Sequence, residues 1–273
     1  MEYVDATVIG AGPGGLGAAG LLTQAGLRTV LLERGDGVGA KWRGAYDRLH
    51  INTSTLTSYL PGAPFPRSIG RWPSRDELVA YYQDFATAHE IDVRLGVSAE
   101  SVERRGPVWQ VRTSDGDISA ASVVVATGRE GTPFMPAWEG TALFGGQLMH
   151  ASQYRSAQGL QGKRVLVVGV GNSGSDIAVD LLEGGADVSV SIRTPPHMVR
   201  RTVAGVPNDV LQLMTRRIPA ALVDVGAEWV RRRAYGDLED LGLGRPPTGI
   251  KTYIKTTGRV PTIDSGPFSQ AVR

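Results

Sequence analysis

With 273 residues, 41% hydrophobic and 21% charged side chains and a net charge of +2, the chain has room for one large or two ordinary domains and the composition of a soluble globular protein. The small net charge gives no footing for a polyanion, so no nucleic-acid partner is expected, and no apolar run approaches the roughly 20 residues of a membrane span. Cysteine is absent, which removes disulfide frameworks, thiolate nucleophiles, cysteine-ligated metals and the dithiol of disulfide reductases.

In chain order, residues 3–9 read as a buried strand that starts without a basic leader or small-residue cleavage site. A cytoplasmic location is therefore expected. Gly10-Ala11-Gly12-Pro13-Gly14-Gly15 follows, then a small-residue helix over 14–25 and a second strand over 29–33. This is GxGxxG inside a βαβ unit. The first glycine allows the tight turn, the second lets a pyrophosphate approach the backbone, and the third lets helix and strand pack closely. The helix N-terminus supplies free N–H groups and partial positive charge. Glu33 ends the second strand, where a carboxylate accepts bonds from both ribose hydroxyls of an adenosine and repels a 2′-phosphate.

Residues 40–72 are rich in Pro, Gly, Thr and Trp and read as irregular. Ser74 and Glu77 form a capping box that opens a helix reaching about His89. Val93 to Val111 reads as a small β-meander, with turns at 105–107 and 115–117. Ser122 to Ala126 is a further buried strand, leading into Ala126-Thr127-Gly128.

The opening pattern then recurs, with a strand over 163–168, Gly169-Val170-Gly171-Asn172-Ser173-Gly174, a helix over 175–182 and a strand over 188–192. Arg193 stands where the first copy has Glu33, and its guanidinium can fork onto a 2′-phosphate. Opposite charges at the two strand ends match FAD at the first grip and NADPH at the second. His197, Arg200 and Arg201 are further candidates for phosphate contact, with a solvated basic loop as the alternative. Residues 206–235 read as an apolar, Arg-rich helical stretch, a helical insertion with membrane-surface binding as the alternative. None of the four histidines is spaced with another as a metal site, and no metal is expected.

Phe144-Gly145-Gly146-Gln147-Leu148-Met149-His150-Ala151-Ser152-Gln153-Tyr154 matches FxGxxxHxxxY, the fingerprint of the flavin-containing monooxygenase superfamily. With the 123–128 segment, Tyr46 to His50, Leu60 to Pro66 and the 241–249 segment, the chain resembles the YUCCA-like branch of that superfamily. The resemblance implies an α/β fold of two Rossmann-like dinucleotide-binding domains, the second inserted into the first. We expect an FAD-binding domain over 1–158 and an NADPH-binding domain over 159–273, with a helical insertion about 206–240 that covers the active site. It also implies a monooxygenase in which NADPH reduces FAD, the reduced flavin forms a hydroperoxide with O2, and one oxygen passes to a small organic substrate. An NADPH oxidase releasing peroxide, or an inactive fragment, is the alternative.

The cofactor-binding set expected on this basis is Gly10, Gly12, Pro13, Gly14, Gly15, Glu33, Arg34, Lys41, Trp42, Arg43, His50, Asn52, Ala126, Thr127, Gly128, Gly169, Gly171, Asn172, Ser173, Gly174, Arg193 and Arg201. Asn52 is the candidate catalytic residue, because it resembles the family's amide-bearing segment beside the flavin. Its alternative is an Asn capping a turn. His150 and Tyr154 are expected to fix the interdomain linker. The expected partners are a small-molecule substrate and O2, with a homodimer as an assembly option, and membrane contact is the lesser reading. The family's C-terminal return to the FAD domain, which Thr262 to Gly266 resembles at its start, is expected to be missing or truncated.

Overall fold

The computed structural model describes residues 2–129, 131–264 and 268. It divides into two compact units, one of residues 1–45 and 58–152, the other of residues 46–57 and 153–273. Residues 46–57 were expected with the first domain, yet they pack with the second unit.

The first unit is built on a six-stranded sheet. Its strands are β1 (Glu2–Ile9), β2 (Thr29–Glu33), β3 (Asp92–Leu95), β4 (Ala99–Arg105), β5 (Val108–Thr113) and β6 (Gly116–Val125), in the order β3-β2-β1-β6-β5-β4. Strands β3, β2, β1 and β6 run parallel, while β6, β5 and β4 are antiparallel. Val4, Val30, Leu32, Val111, Ile118 and Ala120 form its apolar core. Strand β2 reads as a nearly continuous apolar run, and Thr29 to Leu32 are all buried, as for a parallel strand with both faces covered.

Two sequence expectations change here. Asp92–Leu95 does not join the meander. It reaches the sheet by a helical crossover and pairs parallel to β2. The expected short strand before Ala126 is the end of a ten-residue strand, because the turn before Gly116 zips β5 to β6.

Helix α1 (Pro13–Gln24) links β1 to β2, a short α2 (Ala40–Arg43) follows, and α3 (Arg75–Ala88) precedes β3. The α3 box is reciprocal. Ser74 N–H donates to Glu77 Oε2 at 2.8 Å, and Glu77 N–H donates to Ser74 Oγ at 3.3 Å. A Cβ on Gly20 of α1 would lie 2.8 Å from the Phe85 ring of α3, so the small residues of α1 permit that packing.

The second unit holds β7 (Arg164–Val168), α4 (Asn172–Glu183) and β8 (Asp187–Ser191), with β7 and β8 parallel. Strand β9 (Met198–Arg200) is followed by the hairpin β10 (Thr202–Val203) and β11 (Val206–Pro207). Helices α5 (Asn208–Thr215), α6 (Ala220–Tyr235) and α7 (Ile250–Thr257) come next, and β12 (Thr262–Asp264) returns parallel to β9. Its core joins Val170, Ala178, Val179, Met198, Tyr235, Leu238 and Leu243. Of the Thr262 to Gly266 segment, Ser265 and Gly266 lie outside the described residues. No helix among the described residues is long and apolar enough to cross a membrane.

Candidate functional site

The two glycine turns have the same backbone logic. Gly10 and Gly169 open them at φ +104° and +93°, a region that L side chains adopt only with strain. Gly12 and Gly171 are the extended N-caps of α1 and α4, and no side chain caps either helix. Added Cβ atoms at Gly12 and Gly171 would meet nothing within 4 Å, so each faces open space. At Gly15 and Gly174 an added Cβ would run into the carbonyl oxygens of Gly10 and Gly169 respectively. Each turn therefore offers uncapped N–H groups to an anion across an accessible backbone.

Around the first turn, Glu33 accepts the Ala11 N–H through Oε2 at 2.9 Å and the Gly35 N–H through Oε1 at 2.8 Å. The carboxylate is thus held at the rim. The Gly39 N–H donates to Ala11 O at 2.8 Å, and the Ala126 N–H donates to Ile9 O at 2.8 Å. Ala126, Thr127 and Gly128 follow β6 at this edge, the last two exposed, and the turn carries Pro13 and Gly14 into α1. On α2, Lys41 and Arg43 are exposed and Trp42 is half-buried, with Arg43 at 3.2 Å from Asp36. Arg34 donates to Gly131 O at 3.1 Å.

At the second turn, Asn172 accepts the Ile263 N–H at 2.7 Å, so its amide oxygen ties α4 to β12. Arg193 is exposed, and no ion pair is formed by it among the described residues. Ser173 lies in the first turn of α4.

The segment 46–57, which carries His50 and Asn52, is fastened along its length to the rest of the second unit. Tyr46 OH donates to Asp176 at 2.8 Å, and Arg48 pairs with Glu183 at 2.7 Å and Asp180 at 3.5 Å. The Asp47 N–H donates to Arg155 O at 2.8 Å. Arg201 Nη2 donates to Asn52 Oδ1 at 3.2 Å. Farther along, Asp209 Oδ2 accepts Ser54 N–H at 3.0 Å, Ser54 Oγ at 2.7 Å and the Thr57 hydroxyl. His50 is exposed, with Nδ1 at 3.0 Å from Arg48 O.

Electrostatics follow this packing. Burial pushes the Asp176 carboxyl up, opposed by the Tyr46 hydrogen bond and by Arg201 and Arg48. Burial likewise pulls the Arg201 guanidinium down, against the pull of Asp176. At Asp209 burial acts upward, but the Thr57 and Ser54 donors outweigh it and hold the carboxyl below its ordinary range. Tyr154 OH donates to Asp180 at 2.5 Å, so the last residue of the fingerprint anchors on α4, while His150 Nδ1 pairs with Ser152 Oγ at 2.9 Å.

Sequence reading singled out neither Asp176 nor Asp209. Asp209 reads as an ordinary acid in the first turn of a helix. Its partners lie more than 150 positions earlier in the chain, and single-sequence spacing carries no signal for such a pair.

Comparison with known proteins places the chain among flavin-dependent oxidoreductases. The pyridine nucleotide-disulphide oxidoreductase family matches residues 7–217. The chain is similar to the indole-3-pyruvate monooxygenase YUCCA1 of Oryza sativa, at 36% identity over 96% of this chain and 66% of that protein. It is 34% identical to a probable indole-3-pyruvate monooxygenase, YUCCA10 of Arabidopsis thaliana, over 97% of this chain and 70% of that one. Among solved structures, a flavin-containing monooxygenase from Stenotrophomonas maltophilia aligns with a TM-score of 0.71 at 29% identity, over 84% of this chain and 68% of that one. The chain spans about two thirds of the length of the curated relatives it matches, from 64% to 70%.

Proposed function

The chain belongs to the flavin monooxygenase family, in its YUCCA-like branch, and from that premise we propose that it is an NADPH- and FAD-dependent monooxygenase acting on a small organic substrate. The observation that carries the reading is the pair of open glycine turns, one edged by Glu33 and the other followed by Arg193. FAD supplies the oxygen-activating chemistry when bound, with NADPH as its reductant.

The chain's own residues bind and orient. The N–H groups after Gly12 receive the FAD pyrophosphate, and Glu33 accepts from the adenosine ribose. Gly14, Gly15 and Ala126 to Gly128 shape that edge, and Arg34, Lys41, Trp42 and Arg43 are the further residues that would hold the cofactor. The N–H groups after Gly171 receive the NADPH pyrophosphate, with Ser173 at the helix start, while Arg193 forks onto the 2′-phosphate. Asn52 donates its amide hydrogens to the bound nucleotide. None of these roles requires a side-chain nucleophile or a carboxylate pair, in keeping with a protein that positions groups and excludes water.

The rice relative is named for indole-3-pyruvate, and a 2-oxo acid is the substrate class we propose first. The test is direct. Purified protein should be yellow or should take up added FAD, and NADPH-driven oxygen uptake should rise with an aromatic 2-oxo acid and yield a product one oxygen richer. A protein that stays colourless with excess FAD would refute the reading. Oxygen uptake that yields only peroxide with every substrate tried would replace it with an NADPH oxidase.

A further inference from the structure

We propose that Arg201 and Asp209 are positioning residues for Asn52, and that Arg201 does not itself contact the nucleotide phosphate. The inference rests on the reading of Asn52 as the nucleotide-contacting amide. Arg201 was expected to contact phosphate, yet its guanidinium is half-buried and donates to Asn52 Oδ1 at 3.2 Å. A guanidinium can only donate. The atom that faces it must therefore be the amide oxygen, which settles the orientation of the Asn52 side chain. Both Nδ2 hydrogens are then turned away from Arg201 as donors.

Asp209 acts on the backbone. Its Oδ2 gathers the Ser54 N–H, the Ser54 hydroxyl and the Thr57 hydroxyl, and Ser54 is fully buried. Upstream, Tyr46 and Arg48 are tied to Asp176, Asp180 and Glu183. Asn52 therefore sits in a short span fixed at both ends, with its side-chain rotamer set from a third direction. Three donors on one carboxylate oxygen are charge-assisted bonds, the stronger kind. Every one of these contacts lies inside the second unit, so the segment is built as part of the NADPH-binding unit.

The experiment is equilibrium titration of the FAD-loaded protein with NADP+ and with NAD+, a measurement that involves no turnover. Asn52→Ala should weaken both by roughly tenfold, the scale of a lost hydrogen bond in a bound complex. Arg201→Met should weaken both nucleotides by the same factor, because Asn52 does not read the 2′-phosphate. The Asn52→Ala/Arg201→Met double variant should be no weaker than the poorer single variant. Arg201→Lys, which keeps one donor, should recover part of the affinity. Asp209→Asn should speed amide hydrogen exchange over residues 50–58 and weaken both nucleotides together.

Loss confined to NADP+ in Arg201→Met, or additive losses in the double variant, would overturn the inference and return Arg201 to the phosphate. Unchanged affinity in Arg201→Met and Asp209→Asn, with Asn52→Ala impaired, would overturn it as well. Unchanged affinity in Asn52→Ala would instead sink the reading of Asn52 on which it stands.

Discussion

The first and second glycine turns share a backbone and differ in what backs them. Behind Gly10 stands β1, flanked by β2 and β6 and buried at Val4 and from Ala6 to Val8, and an added Cβ would lie 2.7 Å from the Ala126 carbonyl oxygen. Behind Gly169 stands β7, which pairs only with β8 among the described residues and leaves Leu166 and Val168 61% and 58% exposed. Nothing lies within 4 Å of a Cβ at Gly169. The phosphate grip is thus a property of turn and helix start, which the motif encodes locally. The support behind it is a property of the sheet, and the two copies differ there.

Alanine substitutions separate these two layers. Gly15→Ala and Gly174→Ala should be the most damaging, because each drives a methyl group into a backbone carbonyl that cannot rotate away. We expect a loss of at least about 3 kcal/mol in each unit, above the usual cost of overpacking, measured by denaturant unfolding. The opening glycines should break the symmetry. Gly169→Ala should cost only left-handed strain, about 1 kcal/mol, whereas Gly10→Ala adds a backbone clash and should cost clearly more. Equal losses at Gly10 and Gly169 would show that the Ala126 contact is immaterial.

The strand ends carry the next contrast. Arg193→Ala should weaken NADPH relative to NADH by about 2 kcal/mol, the scale of a charge-assisted hydrogen bond, or roughly thirtyfold. FAD content should not change. Equal loss of the two coenzymes would remove Arg193 from the 2′-phosphate and dissolve the chemical distinction between the grips.

How far all this could be read from sequence follows the same division. Local signals were legible: the glycine turns, the capping box at Ser74 and the strand ends at Glu33 and Arg193 each depend on residues within one turn or one βαβ unit. Nonlocal pairing was not. The position of Asp92–Leu95 beside β2 depends on a crossover, and alternation alone cannot tell a parallel edge strand from the first strand of a meander. The attachment of residues 46–57 to the second unit rests on Asp176, Asp180, Glu183, Arg201 and Asp209, all distant in sequence. Asn52 was legible as a candidate only through family resemblance, and its fixed amide orientation needed the guanidinium of Arg201 to become apparent.

The smallest effect distinguishes the units by pH. His197, in the second unit, is 8% exposed, packs tilted against Tyr253 with ring centroids 4.5 Å apart, and its buried Nε2 has no hydrogen-bond partner among the described residues. Burial holds its pKa below the ordinary 6.5, outweighing Asp224 and Glu228, which raise it, while Arg231 lowers it further. The unfolded chain therefore takes up a proton near pH 6.5, at which the folded chain still refuses one. Stability of the second unit should fall as pH drops from that value, until the folded imidazole also titrates. The slope cannot exceed about 1.4 kcal/mol per pH unit, the limit for one proton. His197→Phe should flatten it, as seen in unfolding midpoints between about pH 5 and 7.5, the window in which an ordinary imidazole changes charge. A slope that survives the substitution would place the pH sensitivity elsewhere and leave His197 as an aromatic filler beside Tyr253.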